Sequence, residues 1–370
     1  MIIGVPKEIK RNENRTSLVP FGAEELVKSG NTVLIEKSAG IASGFSDEDY
    51  ILSGATIIDT AEEIYSRSDI IVKVKEPIGD ELQLIKKNQI IFTFFHFAAS
   101  KELTNRMIEN ESISIAYETV QKSSGELPLL IPMSEVAGRM AVQNGAKCLE
   151  ENMGGKGKLL SGVPGVEPAT VTILGGGVVG TNAAKLAAGF GAKVNILDIN
   201  QERLRYLNDI MPPNVCTLYS NRHNISQLLP TTDLLIGAVL IVGAKAPNLV
   251  TKDMLQCMDK KSVIIDVAVD QGGCVETCKP TTHENPTYEI EGITHYCVAN
   301  MPGSVPYTST LALSNATFKY IYKLANNSLD KNLSDMIEFR SGLNIHKGRV
   351  THSAVASCFD ISYTSIDSLF

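Results

Sequence analysis

Two periodicities alternate along this chain. Short β-branched runs of strand length, Ile2–Val5, Thr32–Glu36, Ile70–Val74, Gln89–Phe94 and Ser114–Tyr117, are separated in several places by amphipathic stretches with helical spacing, Phe21–Ser29, Ala61–Arg67 and Lys101–Glu109. Such alternation predicts a parallel sheet with helices on its faces. The Gly- and Pro-rich stretch 154–168 breaks the pattern and predicts a long surface loop. Strand candidates then resume at Thr170–Leu174, Lys193–Leu197, Val215–Tyr219, Leu234–Gly237, Val263–Val267 and His295–Val298, enough for a complete doubly wound sheet. Beyond Met301-Pro302-Gly303 the pattern turns mostly helical, with Thr310–Ala325 its clearest helix, and this tail is expected to pack back on the first domain. The expected fold class is therefore α/β, with two Rossmann-like domains built on parallel sheets.

Length agrees with two domains, since 370 residues is more than twice a usual domain. We expect a discontinuous substrate domain over 1–128 and 305–370 and a nucleotide-binding domain over 129–304. Net charge is -7, the wrong sign for collecting phosphate backbones, so no nucleic-acid partner is expected. The start MIIGVPKEIKRN lacks the apolar core of a signal peptide. The longest apolar run, Leu234–Ala244, is about half of the ~20 residues a membrane span needs and reads as a buried strand and loop. Seven scattered cysteines without a secretory signal predict free thiols and a cytoplasmic setting. Cys274 and Cys278, the one close pair, have no second pair or clustered histidine, so no metal site is expected.

The strand Thr170–Leu174 runs directly into Gly175-Gly176-Gly177-Val178-Val179-Gly180 and an alanine-rich helix, Thr181–Phe190. Strand, glycines and helix in this order are the context a dinucleotide loop requires. Gly175 permits the tight turn, Gly177 lets the backbone approach a pyrophosphate, and Gly180 lets helix and strand pack closely. The helix N-terminus supplies amides and partial positive charge to the phosphates. A second strand ends at Asp198, eighteen residues after Gly180. A carboxylate there accepts hydrogen bonds from the ribose hydroxyls and repels a 2'-phosphate, so it selects NAD over NADP.

Ligands of open α/β sheets bind outside the carboxyl ends of the strands, which draws attention to polar residues at those ends. Arg15 lies in the loop after the first strand, Lys75 directly follows Ile70–Val74, His96 follows Ile91–Phe95, and Asp270 follows Val263–Val267. Each has a plainer reading. Arg15 and Lys75 could pair with Glu13 and Glu76 as solvated surface charges. His96, between Phe95 and Phe97, could be a core histidine satisfied by backbone rather than an imidazole tuned for proton transfer. Asp270 could cap the turn Asp270-Gln271-Gly272-Gly273.

The chain resembles the bacterial alanine dehydrogenase family over essentially its whole length. The resemblance is carried by Gly4-Val5-Pro6-Lys7-Glu8 with Asn12-Glu13-Asn14-Arg15, Lys73-Val74-Lys75-Glu76-Pro77, Pro132-Met133-Ser134-Glu135-Val136-Ala137-Gly138, the run 266–273 and the run 300–306. It implies that Arg15 and Lys75 hold a substrate carboxylate while His96 and Asp270 handle protons as L-alanine interconverts with pyruvate and ammonium. By the same resemblance Ser134, Asp198, Arg203, Ser220, the Val239-Leu240 turn, Val267, Asp270, Lys279, Val298, Asn300 and Met301 line an NAD site, together with Gly175, Gly177, Val178, Val179 and Gly180 of the loop. The active site is expected in a cleft between the domains, and the family commonly forms homohexamers. Departures from the family pattern are Thr16-Ser17-Leu18-Val19 in place of Val-Ala-Leu-Thr, and Lys279 and Tyr307 where arginine is usual.

The resemblance implies a sequence of hydride loss from Cα, addition of water to the imine, and collapse of the carbinolamine to pyruvate and ammonium. Two other readings share the fold. One is the NAD-binding subunit of a proton-translocating transhydrogenase, from which Asp270-Gln271-Gly272-Gly273 separates this chain. The other is a non-catalytic NAD-binding regulator, against which the retention of all four polar residues argues.

Overall fold

The computed structural model describes residues 1–239 and 246–369; the side chains of Asp270 and Gln271 also fall outside the description. It divides into two compact units, Met1–Met133 with Gly303–Phe370, and Ser134–Pro302.

The first unit opens with six strands: β1 (Ile2–Val5), β2 (Thr32–Glu36), β3 (Thr56–Ile58), β4 (Ile70–Lys75), β5 (Ile90–Phe94) and β6 (Ile113–Ala116). All pair in parallel, with β1 hydrogen-bonded to β2 on one side and β4 on the other. The strand order therefore reverses beside β1, and that reversal opens space at the carboxyl end where the loop bearing Arg15 leaves the sheet. Nearly continuous apolar runs suit these strands, because a parallel sheet is covered on both faces. One cluster under the sheet includes Ile71, Ile91, Phe95, Phe97, Leu103 and Met107.

The second unit contributes β7 (Thr170–Leu174), β8 (Lys193–Asp198), β9 (Val215–Tyr219), β10 (Leu234–Gly237), β11 (Val263–Asp266), β12 (Thr287–Ile290) and β13 (Ile293–Tyr296), arranged β12-β13-β11-β10-β7-β8-β9. Among the described residues, the β12–β13 pairing is the one antiparallel pairing of these strands. The reversal point here is β7, whose carboxyl end carries the glycine run. A helix over Ile131–Cys148 precedes this sheet. A Cβ on Gly138 would stand 2.2 Å from the Val179 carbonyl oxygen, so the helix meets the glycine-loop helix through a position that tolerates only glycine.

The tail returns to the first unit. Its helix Pro306–Asn326 brackets the expected Thr310–Ala325, but two short strands follow, β14 (Leu343–His346) and β15 (Arg349–Val350), extending the first sheet antiparallel from β6. A tail read as mostly helical hides them, because Asn344 and His346 break the apolar run. Asn344 is nonetheless buried, its amide donating to Thr119 Oγ1 at 2.6 Å and the Gly342 carbonyl at 2.9 Å. Three more readings shift: β4 includes Lys75, β11 stops at Asp266 so that Val267 opens a short helical turn, and the strand expected at His295–Val298 lies at Ile293–Tyr296. Of the run Leu234–Ala244, the strand Leu234–Gly237 is buried, and residues from Leu240 onward fall outside the description. Among the described residues no helix is long and apolar enough to cross a membrane.

Candidate functional site

Arg15 does pair with Glu13, but not as a solvated surface charge. Both side chains are almost wholly buried, and the guanidinium grips the carboxylate through Nε at 2.6 Å and Nη2 at 2.5 Å. Burial pushes the Glu13 carboxyl up, while Arg15's hydrogen bond and charge outweigh it and leave the group below its ordinary range. The bidentate contact fixes the guanidinium plane, and Nη1 approaches Met133 Sδ at 3.0 Å. Glu76 binds Lys10 rather than Lys75. Burial, followed by Arg15's charge, lowers the Lys75 ammonium. Beneath it lies a wholly buried Lys73, bridged to Glu81 at 2.8 Å and Glu8 at 3.3 Å; Glu8 also accepts the Val74 amide at 2.6 Å. This network holds the end of β4 in place.

His96 follows β5 in the left-handed region, with φ of 51°. For a side chain of this kind that conformation costs about 1–2 kcal/mol, so something must hold it. Glu118, in the turn after β6, accepts the His96 amide at 2.6 Å and the Phe95 amide at 3.2 Å. The imidazole stacks on Phe94, ring centroids 5.9 Å apart and planes 8° from parallel. Its edge is open to solvent, yet crowding by protein and then the charges of Lys75, Lys10 and Arg15 push its pKa down to about 3. The core-histidine reading therefore does not describe it. His96 thus lies within the electrostatic reach of three cations, of which Arg15 is paired with Glu13 and Lys10 with Glu76.

In the second unit the glycine run ends β7. Gly175 has φ of 101°, and a Cβ there would stand 2.8 Å from the Ala238 carbonyl oxygen. At Gly180 a Cβ would meet the Gly175 carbonyl oxygen at 1.9 Å, so helix Val178–Gly189 packs against its own entry loop. Gly177 differs: a Cβ would meet nothing within 4 Å. The first and third glycines are required by the protein's own packing, whereas the space before Gly177 suits a group brought from outside, as close approach of a pyrophosphate to backbone requires.

Asp198 ends β8 beside this loop, accepting the Gly176 amide at 2.7 Å and the Asn200 amide at 2.8 Å. Arg203 donates to the Gly176 carbonyl and to Thr181 Oγ1, both at 2.6 Å, and the Ser220 amide donates to the Asp198 carbonyl at 2.9 Å. Val178 and Val179 are half-buried at the helix start, and Val239 lies against Gly175. Loop, Asp198, Arg203, Ser220 and Val239 thus form one group. Asp270 belongs to the turn Val267–Gln271, although its side chain is outside the description, as is the whole of Leu240. That turn is held by buried Asp266, which accepts the amides of Ala268 at 3.0 Å, Cys274 at 2.7 Å and Val275 at 3.1 Å. Val298 and Met301 are buried and Asn300 has φ of 56°. Ser134 is half-buried in helix Ile131–Cys148. An open depression of about 630 Å³ lined by Gln143, Lys147, Glu150 and Phe190 lies toward the opposite end of helix Val178–Gly189 and plays no part in this group.

The departures have local explanations. Ser17 is buried and donates to the Val72 carbonyl at 2.7 Å, and the Thr16 amide donates to Thr310 Oγ1 at 3.1 Å. Lys279 is exposed, with its ammonium 4.8 Å from the centre of the Tyr288 ring, and Tyr307 stacks on Phe45 at 6.1 Å. The residues that sequence reasoning passed over are Lys10, Met133, Glu118 and Glu13 as a buried partner. Glu118 had a usable signal, since it directly follows a predicted strand.

Two family models cover the chain: the alanine dehydrogenase/PNT N-terminal domain matches residues 4–137 and the C-terminal domain residues 141–353. An alanine dehydrogenase of Methanococcus maripaludis is 52% identical over 98% of this chain and 98% of its own, and one of Bacillus subtilis is 52% identical over 98% and 95%. A solved L-alanine dehydrogenase superposes with a TM-score of 0.95 at 51% identity, over 97% of this chain and 99% of its own. A transhydrogenase from Sinorhizobium meliloti shares the fold, with a TM-score of 0.79 at 22% identity, over 96% and 100%. A Rossmann-like unit in this family implies a nicotinamide dinucleotide cofactor and small-molecule substrates. The matches span both units, and the chain belongs to the alanine dehydrogenase/PNT family.

Proposed function

We propose that the protein catalyses the NAD-dependent, reversible oxidative deamination of L-alanine to pyruvate and ammonium. One observation carries this reading furthest: buried Arg15, its plane fixed by Glu13, and Lys75 act with Lys10 on His96, adding to the burial that lowers its pKa, in a chain whose other unit has an aspartate-closed dinucleotide loop. Such a cluster invites a small carboxylate with chemistry at the neighbouring carbon.

In this reading Arg15, its plane set by Glu13, and Lys75 bind the carboxylate and orient Cα, converting charge attraction into position. The amides at the start of helix Val178–Gly189 and the ground before Gly177 would hold the pyrophosphate, and Asp198 the ribose hydroxyls, which selects NAD over NADP. Ser134, Arg203, Ser220, Val239, Leu240, Val267, Lys279, Val298, Asn300 and Met301 complete the proposed cofactor contacts. Bound NAD supplies the hydride acceptor. His96, neutral before substrate arrives, accepts a proton from the water that adds to the imine. The carboxylate's charge offsets Arg15 and Lys75 at that moment, so the imidazolium becomes tolerable. Asp270 is proposed as the second acid-base group, moving the proton that accompanies carbinolamine collapse. Assembly as a homo-oligomer, a hexamer by family resemblance, in the cytoplasm belongs to the same proposal.

The test is direct. Purified protein mixed with NAD and L-alanine should generate NADH absorbance, and pyruvate with ammonium should consume it. Silence in both directions overturns the reading.

A further inference from the structure

From the geometry around β5 and β6 we infer that Glu118 is a positioning residue for His96, holding the turn that presents the imidazole. The inference rests on the proton-transfer role proposed for His96. Its two carboxylate oxygens take consecutive amides, His96 at 2.6 Å on one and Phe95 at 3.2 Å on the other. That bidentate hold sits where the chain enters the left-handed region at residue 96, a conformation residues other than glycine rarely keep without outside constraint. Glu118 is itself set on a firm mount. Its turn, Tyr117–Thr119, follows β6; Tyr117 packs edge-on against Phe92 and Phe94 with centroids 4.3 and 5.0 Å away; and Thr119 Oγ1 accepts the Asn344 amide from β14.

Phe94, which stacks on the imidazole, therefore packs against the residue preceding Glu118. Backbone and ring of His96 are fixed from one short turn. Burial raises the Glu118 carboxyl to about 7, against the opposing pull of these amides and of Lys75. Glu118 also lies within the electrostatic reach of Lys75, so it faces the carboxylate-binding cation as well as the histidine.

Glu118→Gln keeps the shape but turns one amide acceptor into a donor against an N–H. With the holoenzyme, kcat in both directions should fall about 10- to 100-fold, the cost of a misplaced reacting group. KM for pyruvate should stay the same or fall, because Arg15 and Lys75 are untouched and a nearby negative charge is gone. Glu118→Asp restores charge without reach and should recover only part of kcat. Hydrogen exchange at the Phe95 and His96 amides should quicken in both variants while β5 keeps its protection. An active wild type with a Glu118→Gln kcat within twofold of it, or full rescue by Asp, overturns the inference, as does unchanged exchange at both amides. A wild type inactive with alanine overturns the functional reading instead, and the exchange comparison then still decides whether Glu118 holds the turn. Should Glu118→Gln fail to fold, the Asp variant and its exchange decide.

Discussion

In the proposed reading the carboxyl ends of β4 and β5 and the glycine loop after β7 answer the same problem, attracting an anion, by opposite means. The first uses charged side chains. Lys75, Lys10 and Arg15 act on one imidazole, Glu13 pairs with Arg15 and Glu76 with Lys10, and Glu118 takes the backbone amide of the histidine. The second uses backbone, and its fitness lies in where a Cβ is forbidden and where there is room. A site made of mutually repelling charges in low dielectric responds to charge and pH; a site made of amides and glycines responds to shape.

The strongest way to break the side-chain site is His96→Ala. Turnover should fall about 10²- to 10⁴-fold, the usual worth of a positioned acid-base group, with NADH binding by fluorescence still detectable because the glycine loop is intact. Asp270→Ala should behave alike. Near-normal turnover by either variant removes that residue from the mechanism.

The backbone site is tested by two alanines three residues apart. Gly180→Ala drives a methyl to 1.9 Å from the Gly175 carbonyl oxygen, and a forced backbone clash of that kind costs about 1–3 kcal/mol or more, visible as a lower Tm. Gly177→Ala meets no protein atom within 4 Å, so Tm should hold while NADH Kd rises about tenfold, roughly 1.4 kcal/mol. Equal effects on Tm would show that Gly177 serves packing and not a ligand. A smaller change is expected from Asp198→Ala combined with Ile199→Arg, Ile199 being largely exposed. Use of NADP, measured as kcat/KM, should rise relative to NAD. Because Asp198 also holds the Gly176 amide, NAD efficiency should fall at the same time; an unchanged NAD preference would count against the ribose role.

The same contrast explains what could be read in advance. The glycine loop, β7, β8 and Asp198 were legible because local sequence determines them: turn, helix start and acid occur in one short stretch. Arg15, Lys75 and His96 were singled out by the strand-end rule, yet their environment was not legible, since burial of the Arg15–Glu13 pair depends on the loop after β1 folding against residues as distant as Met133 and Thr310. Glu118 satisfied the same rule and was passed over, because a carboxylate that binds amides leaves no motif. Strands β3, β12, β14 and β15 have two to four residues each, too few for a period to declare itself, and pairing partners rather than propensity make them strands.

The last prediction concerns the pKa of His96, through which the side-chain site answers to charge. In the protein without substrate, burial and three cations hold it near 3, so the ring should remain neutral at pH 5 in a histidine-labelled NMR titration assigned with His96→Asn. A bound carboxylate such as pyruvate cancels part of the charge of Arg15 and Lys75, and the pKa should rise. Lys75→Gln should raise it without ligand, because removing a like charge favours the protonated ring. Adding NADH alone should move it less than pyruvate does if the anion that matters binds Arg15 and Lys75. A free-protein pKa near the ordinary 6.5 would show that these cations do not face His96 in solution, and the anion-receptor account of this sheet end would fall with it.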